Sequence, residues 1–182
     1  MHWIIPGTTL EGKRSDADRT DGLFQSMFLA GGLPLSQVAA ITGLEPHTVQ
    51  NWVKRGFLPP PQGKRYNMEQ VCRILNINIL KGNMTIEGIV KLMGYLNGDL
   101  ADESDDLVDD TLLFFLFVKL AARARYVGGT MTWDDALVEV TADYTESVPG
   151  TKEKLQKVLK VMLTVWMANL LHQEAENQIA QL

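Results

Sequence analysis

The 182-residue chain is 46% hydrophobic with a formal net charge of −5, enough apolar content for a buried core and too much for wholesale disorder. A single cysteine, Cys72, excludes an internal disulfide and fits a reducing compartment. No basic-then-apolar leader opens the chain, and the strongest apolar run, TLLFFLFV at 111–118, is too short to span a bilayer; a soluble cytoplasmic protein without a membrane partner is expected.

Residues 1–32 read as a loose polar lead-in carrying one short apolar helix, LFQSMFLA, stopped by Gly31-Gly32. A helix is predicted from Ser36 to Gly43, and a second from Pro46, which suits a first helical turn, to Arg55 before Gly56. The segment from Leu58 to Tyr66 holds Pro59-Pro60-Pro61 and Gly63 and reads as a projecting loop with tiny strands. Asn67 and Thr85 are N-cap residues for a third and a fourth helix, the latter with Ile86, Ile89, Val90, Met93 and Leu96 at helical spacing. The acidic stretch at 97–104 divides this part from further helical patterns at about 105–126, 132–145 and 151–178. The expected fold is mainly α: a module at 33–96, an acidic linker, and a C-terminal helical bundle at 105–182.

Charge is unevenly placed. Residues 34–81 carry Lys54, Arg55, Lys64, Arg65, Arg73 and Lys81 against Glu45 and Glu69, a net +4, whereas 97–118 carry seven acids and no base. A basic module inside an acidic protein is the pattern of a nucleic-acid contact. On a helical wheel of 46–55, Val49, Trp52 and Val53 form an apolar stripe, expected to pack on Val38 and Ile41. The rest of the circle holds His47, Thr48, Gln50, Asn51, Lys54 and Arg55, without one acid. Gln and Asn amides can pair with adenine edges in a major groove, Lys can donate to guanine, and Lys or Arg can neutralise phosphates. Lys64, Arg65 and Tyr66 in the loop supply candidate backbone contacts. A plain solvated helix face beside a basic surface loop has the same composition.

The segment LSQVAAITGLEPHTVQNWVKRGFLPPP…KRYNMEQVCRIL resembles the DNA-binding half of MerR-type regulators, whose pattern is helix, T-G-V-S, helix, G-L-I-x-P, a wing containing R-x-Y, then a helix. Thr42-Gly43-Leu44 and Gly56-Phe57-Leu58-Pro59-Pro60 stand at the matching spacing. The likeness to typical members covers about 33–96. A closer one, to the bacterial family domain of unknown function 1836, itself thought to be MerR-like, extends through NGDLADESDDLVDD. The resemblance implies a winged helix-turn-helix with a small β wing, which binds duplex DNA through a recognition helix at 46–55 and a basic wing at 59–66. It places the contacts on Thr48, Gln50, Asn51 and Lys54 of the helix and on Lys64, Arg65 and Tyr66 of the wing. The chain departs from the pattern in five ways. Gln50 and Asn51 replace a common arginine and tyrosine, the wing is short, the arginine often found after its proline is missing, Lys64 stands where an arginine is usual unless Arg65 shifts into its place by one residue, and Glu45 replaces the N-cap serine.

Enzyme chemistry has no support in the sequence. His2, His47 and His172 are scattered, Cys72 sits among apolar helix residues, and no Cys/His spacing suits zinc. No cofactor is implied. The cluster Asp99, Asp102, Glu103, Asp105, Asp106, Asp109 and Asp110 lacks the glycine and final glutamate of a calcium loop, and reads as a solvated linker whose Asp105 and Asp106 cap the next helix. Wide apolar arcs on 111–118 and from Val161 onward suit mutual packing, a homodimer interface or a small-molecule effector pocket. Sustained heptads are absent after the fourth helix, so the long coiled coil of MerR dimers is not expected. The expectation is a dimeric transcriptional regulator bound to double-stranded DNA. A protein-interaction adaptor built on the same scaffold is the alternative.

Overall fold

The computed structural model describes residues 2–98, 106–124 and 132–182. Its elements are β1 (His2–Ile4), β2 (Glu11–Lys13), a 3-10 helix (Arg14–Arg19), α1 (Thr20–Phe28), β3 (Leu33–Pro34), α2 (Leu35–Thr42), α3 (Pro46–Lys54), β4 (Arg65–Tyr66), α4 (Met68–Leu80), α5 (Ile86–Asn97), α6 (Asp110–Arg123), α7 (Trp133–Val140) and α8 (Thr151–Ile179). The chain is mainly helical, with two small antiparallel sheets, β1-β2 and β3-β4.

Helix ends follow local chemistry. Gly43, at φ 68°, closes α2 in the left-handed conformation that glycine adopts without a Cβ penalty. Asn67 forms a capping box with Gln70, Thr85 caps α5 through the Gly88 N–H, and Thr132 forms a box with Asp135. The first helix of the pair begins at Leu35 behind Pro34, so Ser36 is not its cap. The cap of α6 is Asp109, which accepts from the Leu112 N–H at 2.8 Å. It takes the part predicted for Asp105, which lies outside the described residues, and for Asp106, which faces inward.

α4 is the central element. Ten of its thirteen residues are buried, so it is a core helix whose polar members need partners. It packs along α6, which in turn packs against α7 and α8. Phe24 of α1 meets Phe114 and Phe115 of α6 at 5.3 and 5.5 Å between ring centroids. The apolar arcs of α6 and α8 are largely covered inside the chain, where Phe114, Phe117, Leu159, Met162 and Leu163 are fully buried. One continuous hydrophobic cluster runs from Ile5 through α4 to Met167, across the acidic stretch of sequence.

The lead-in is not loose. β1 and β2 pair in register Trp3↔Gly12, and Ile5, Ala17 and Phe24 are buried. The loop between the strands is tied to α2 and α4: the Thr9 hydroxyl donates to the Ala40 carbonyl at 2.7 Å, and Asn78 Nδ2 donates to the carbonyls of Gly7 and Thr42, both at 2.8 Å. These bonds join residues at least 31 positions apart, so no local pattern announces them.

Candidate nucleic-acid interface

α2 packs on α3 through the predicted apolar stripe; Val38, Val49 and Trp52 are buried, and Ile41 and Val53 are half-buried. Packing that side leaves His47, Gln50, Asn51, Lys54 and Arg55 exposed and Thr48 half-buried. Between Pro46 and Tyr66 the sequence contains no acid. Lys54 lies in the last turn of α3, where the negative end of the helix dipole favours a cation. Arg55 turns sideways: its guanidinium lies 4.7 Å from the centre of the Phe57 ring and 3.8 Å from Glu87 of α5. That pair is solvent-exposed and weak, so Arg55 stays available to another anion.

The wing is short and anchored. β4 pairs with β3 in register Leu33↔Tyr66 and Pro34↔Arg65, and Gln62 bridges Arg65. The Arg65 N–H donates to the Gln62 carbonyl at 2.9 Å across Gly63 and Lys64, whose φ values are 54° and 63°. Positive φ at both central residues is the signature of a tight type I′ turn. Lys64, at its tip, is the single described non-glycine residue with positive φ. Such a conformation costs an L-residue roughly 1–2 kcal/mol, and here it projects an ammonium from the corner of the wing.

The proline run does not stand away from the body, as its stiffness predicts. Gln70 occupies both ends of its amide: Oε1 accepts from the Asn67 N–H, while Nε2 donates to the carbonyls of Pro59 at 3.2 Å and Pro60 at 3.0 Å. Leu58, just before, is buried. The Asn67–Gln70 spacing marks a capping box in the sequence, and that spacing is the one signal that could have turned Gln70 inward.

Tyr66 is the correction among the proposed contacts. It is only 3% exposed and belongs to the core, and burial pushes its phenol up from its ordinary pKa. Its neighbour Arg65 is exposed and donates from Nη1 to the Gly32 carbonyl at 2.7 Å, so one of its five N–H groups is committed to the fold. Tyr66 instead floors an open cleft of about 510 Å³ between α3 and the wing. Leu35, Val53 and Pro61 complete its apolar base, and Gln50, Lys54 and Lys64 line it. Leu35, Val53 and Pro61 were not foreseen as part of the site.

Arg73 is the second correction, this time to the charge count. It is buried in α4, with Nε donating to Asp110 at 2.5 Å and Nη2 to Asp106 at 3.2 Å, and so adds nothing to the basic surface. Asn76 Nδ2 also reaches the Asp110 carboxylate, at 3.0 Å. Burial raises the Asp110 pKa, and Arg73 and Asn76 hold against that shift. Two members of the acidic cluster are therefore interior partners rather than solvated linker. Asp99, Asp102, Glu103 and Asp105 lie outside the described residues. Cys72 is buried in α4, and burial pushes its thiol up, as a structural thiol requires.

Among the described residues, no helix is long and apolar enough to cross a membrane. No group of three or more His, Cys, Asp or Glu is placed to hold a metal there.

Residues 33–111 match the profile of a family described as "Domain of unknown function (DUF1836)". The match runs from β3 to the start of α6, and so takes in α3, the wing and the Arg73–Asp110 pair. The chain is also 31% identical over 78 residues to an uncharacterized protein, YkrK, of Bacillus subtilis (strain 168). That stretch covers 41% of this chain and 34% of the relative, so the chain spans about a third of the length of the curated relative it matches. No solved structure matches.

Proposed function

We propose that this protein is a bacterial transcriptional regulator that binds duplex DNA through a MerR-like winged helix-turn-helix. The observation that carries the reading is the acid-free exposed face of α3, His47, Gln50, Asn51 and Lys54, set across a cleft from Lys64 at the wing tip. In this reading α3 enters the major groove, with the amides of Gln50 and Asn51 directed to base edges and Lys54, Lys64 and Arg65 directed to phosphates. Tyr66 holds the wing against α2 and β3 and touches no DNA. A dimer would bind two half-sites on one face of the duplex.

Fluorescence anisotropy with genomic and random duplexes across a salt series tests this. Three phosphate cations per protomer predict a slope of log affinity against log salt of about −3 per protomer. Gln50→Ala with Asn51→Ala is expected to weaken the preferred duplex by about 1–3 kcal/mol per lost base contact and leave random-sequence binding nearly unchanged. Equal loss on both duplexes would refute the groove assignment.

The apolar base of the cleft favours a second reading, a protein-interaction adaptor that takes an extended peptide between α3 and the wing. Salt-insensitive capture of a protein, with no duplex bound at low salt, would select it.

A further inference from the structure

A second cavity, of about 560 Å³, lies on another part of the surface, between the β1-β2 hairpin, the end of α4 and α8. Its size is that of small-molecule sites. Trp3 of β1 and Trp166 of α8 meet edge to face there, with ring centroids 6.4 Å apart, and Ile5 and Ile79 extend the apolar wall. Three basic residues line it, Arg14, Lys81 and His172, and no acid does.

The cations there differ from others on the chain. Arg123, Lys157 and Lys160 are each paired to a carboxylate. Arg14 and Lys81 make no ion pair among the described residues. The Arg14 guanidinium lies 5.1 Å from the centre of the Trp3 ring, and its Nε is buried without a hydrogen-bond partner. Partial burial lowers the Lys81 pKa, as for an ammonium short of a counter-ion. Two of the amides at the rim are already used by the fold: Asn169 Nδ2 donates to the Ile79 carbonyl at 3.0 Å, and Asn78 Nδ2 to Gly7 and Thr42. Apart from the neutral Gln173 amide, what remains unmatched is cationic on one side and aromatic on the other.

We propose that this cavity is a binding site for a small aromatic carboxylate. The flat body would lie against the two indoles, and the carboxylate would take the guanidinium of Arg14, whose planar fork matches it, with Lys81 as second cation. The apolar wall rejects a bare inorganic anion as the preferred ligand, and the missing acid rejects a cation. The site is separate from α3 and the wing, and its assignment does not depend on DNA binding.

The test uses the four tryptophans as reporters, since Trp3 and Trp166 line the cavity and Trp52 and Trp133 do not. The full chain, labelled with nitrogen-15, is titrated with naphthoate, with naphthamide as the neutral isostere, and with inorganic phosphate, while the four indole N–H resonances are followed. The expected result is a saturable shift of the Trp3 and Trp166 signals with naphthoate. Affinity should fall at least about tenfold for naphthamide and for Arg14→Gln, which remove opposite halves of one charged contact. Lys81→Gln, at a more exposed position, should weaken binding less and provides a variant whose folding rests on no Arg14 contact. Absence of a saturable naphthoate shift would overturn the proposal. So would equal binding of naphthamide, equal binding of phosphate, or shifts of Trp52 and Trp133 as large as those of the cavity pair.

Discussion

Two regions of this chain use arginine and its neighbours in opposite ways. In the α4–α6 interior, Arg73 donates to Asp106 and Asp110, and its charge is matched at hydrogen-bond distance. At α3 and the wing, Lys54, Lys64 and Arg65 are exposed on a face without acids. In sequence both regions are simply basic. The difference lies in what surrounds each residue: α4 is apolar on every side, whereas α3 is apolar on one. A cation on the first kind of helix needs an interior partner, and a cation on the second kind is available to an external one. If this contrast is right, damage to the interior pair should change stability and leave the proposed DNA contacts alone, and removal of the exposed cations should chiefly change those contacts.

The largest effect is expected at the interior pair. Arg73→Met leaves Asp110 buried without its cation and should cost about 3–5 kcal/mol in chemical denaturation. The double variant Arg73→Met with Asp110→Leu should recover only part of that, because the buried Asp106 still loses the Arg73 cation. Duplex affinity per folded molecule should stay at the wild-type value in the double variant. A fall in affinity there would mean that Arg73 reaches the interface after all, and the contrast between the two regions would collapse.

That contrast was partly legible beforehand. Helix positions followed from local signals, such as Asn67, Thr85 and Gly43 at the ends and apolar spacing between them, because caps are encoded within four residues. The exposed face of α3 was readable for the same reason. The hairpin at the N-terminus was not: its strands are three residues each, and its anchors, Thr9 to Ala40 and Asn78 to Gly7, are remote in sequence. Nor could a two-residue β4 show the alternation that puts Tyr66 inside and Arg65 outside. Arg73 was misassigned for a different reason, since MEQVCRILNINIL carries apolar residues around the whole wheel, and a charge count ignores that.

The wing gives the next two effects. A Cβ at Gly32 would lie 2.8 Å from the Tyr66 carbonyl oxygen, at a backbone φ of 92° that side chains rarely adopt. Gly32→Ala should therefore cost roughly 1–3 kcal/mol and displace β4, lowering both stability and duplex affinity. Asn67→Ala removes the α4 cap and should cost about 1 kcal/mol. It also removes the side-chain half of the box that orients Gln70, so backbone amide exchange in 62–66, beyond the prolines, should quicken. Unchanged exchange there would show that the prolines hold themselves and that Gln70 adds nothing.

The smallest effect in stability is the sharpest test of the wing. Lys64 sits at φ 63° in the type I′ turn, a position that glycine fills without penalty. Lys64→Gly removes about 1–2 kcal/mol of backbone strain and adds about 0.5–1 kcal/mol of chain entropy. The net is a gain of about 0–1.5 kcal/mol, measured by denaturation. If the turn alone mattered, the variant would be better in every respect. If the ammonium at the tip meets a phosphate, the same substitution should lower the salt slope of duplex binding by about one unit while the protein becomes no less stable. A stabilised variant with an unchanged slope would remove Lys64 from the interface and leave the cleft between α3 and the wing to a peptide. A stabilised variant with a shallower slope would mean that the strain persists in the native chain because the contact needs a lysine there.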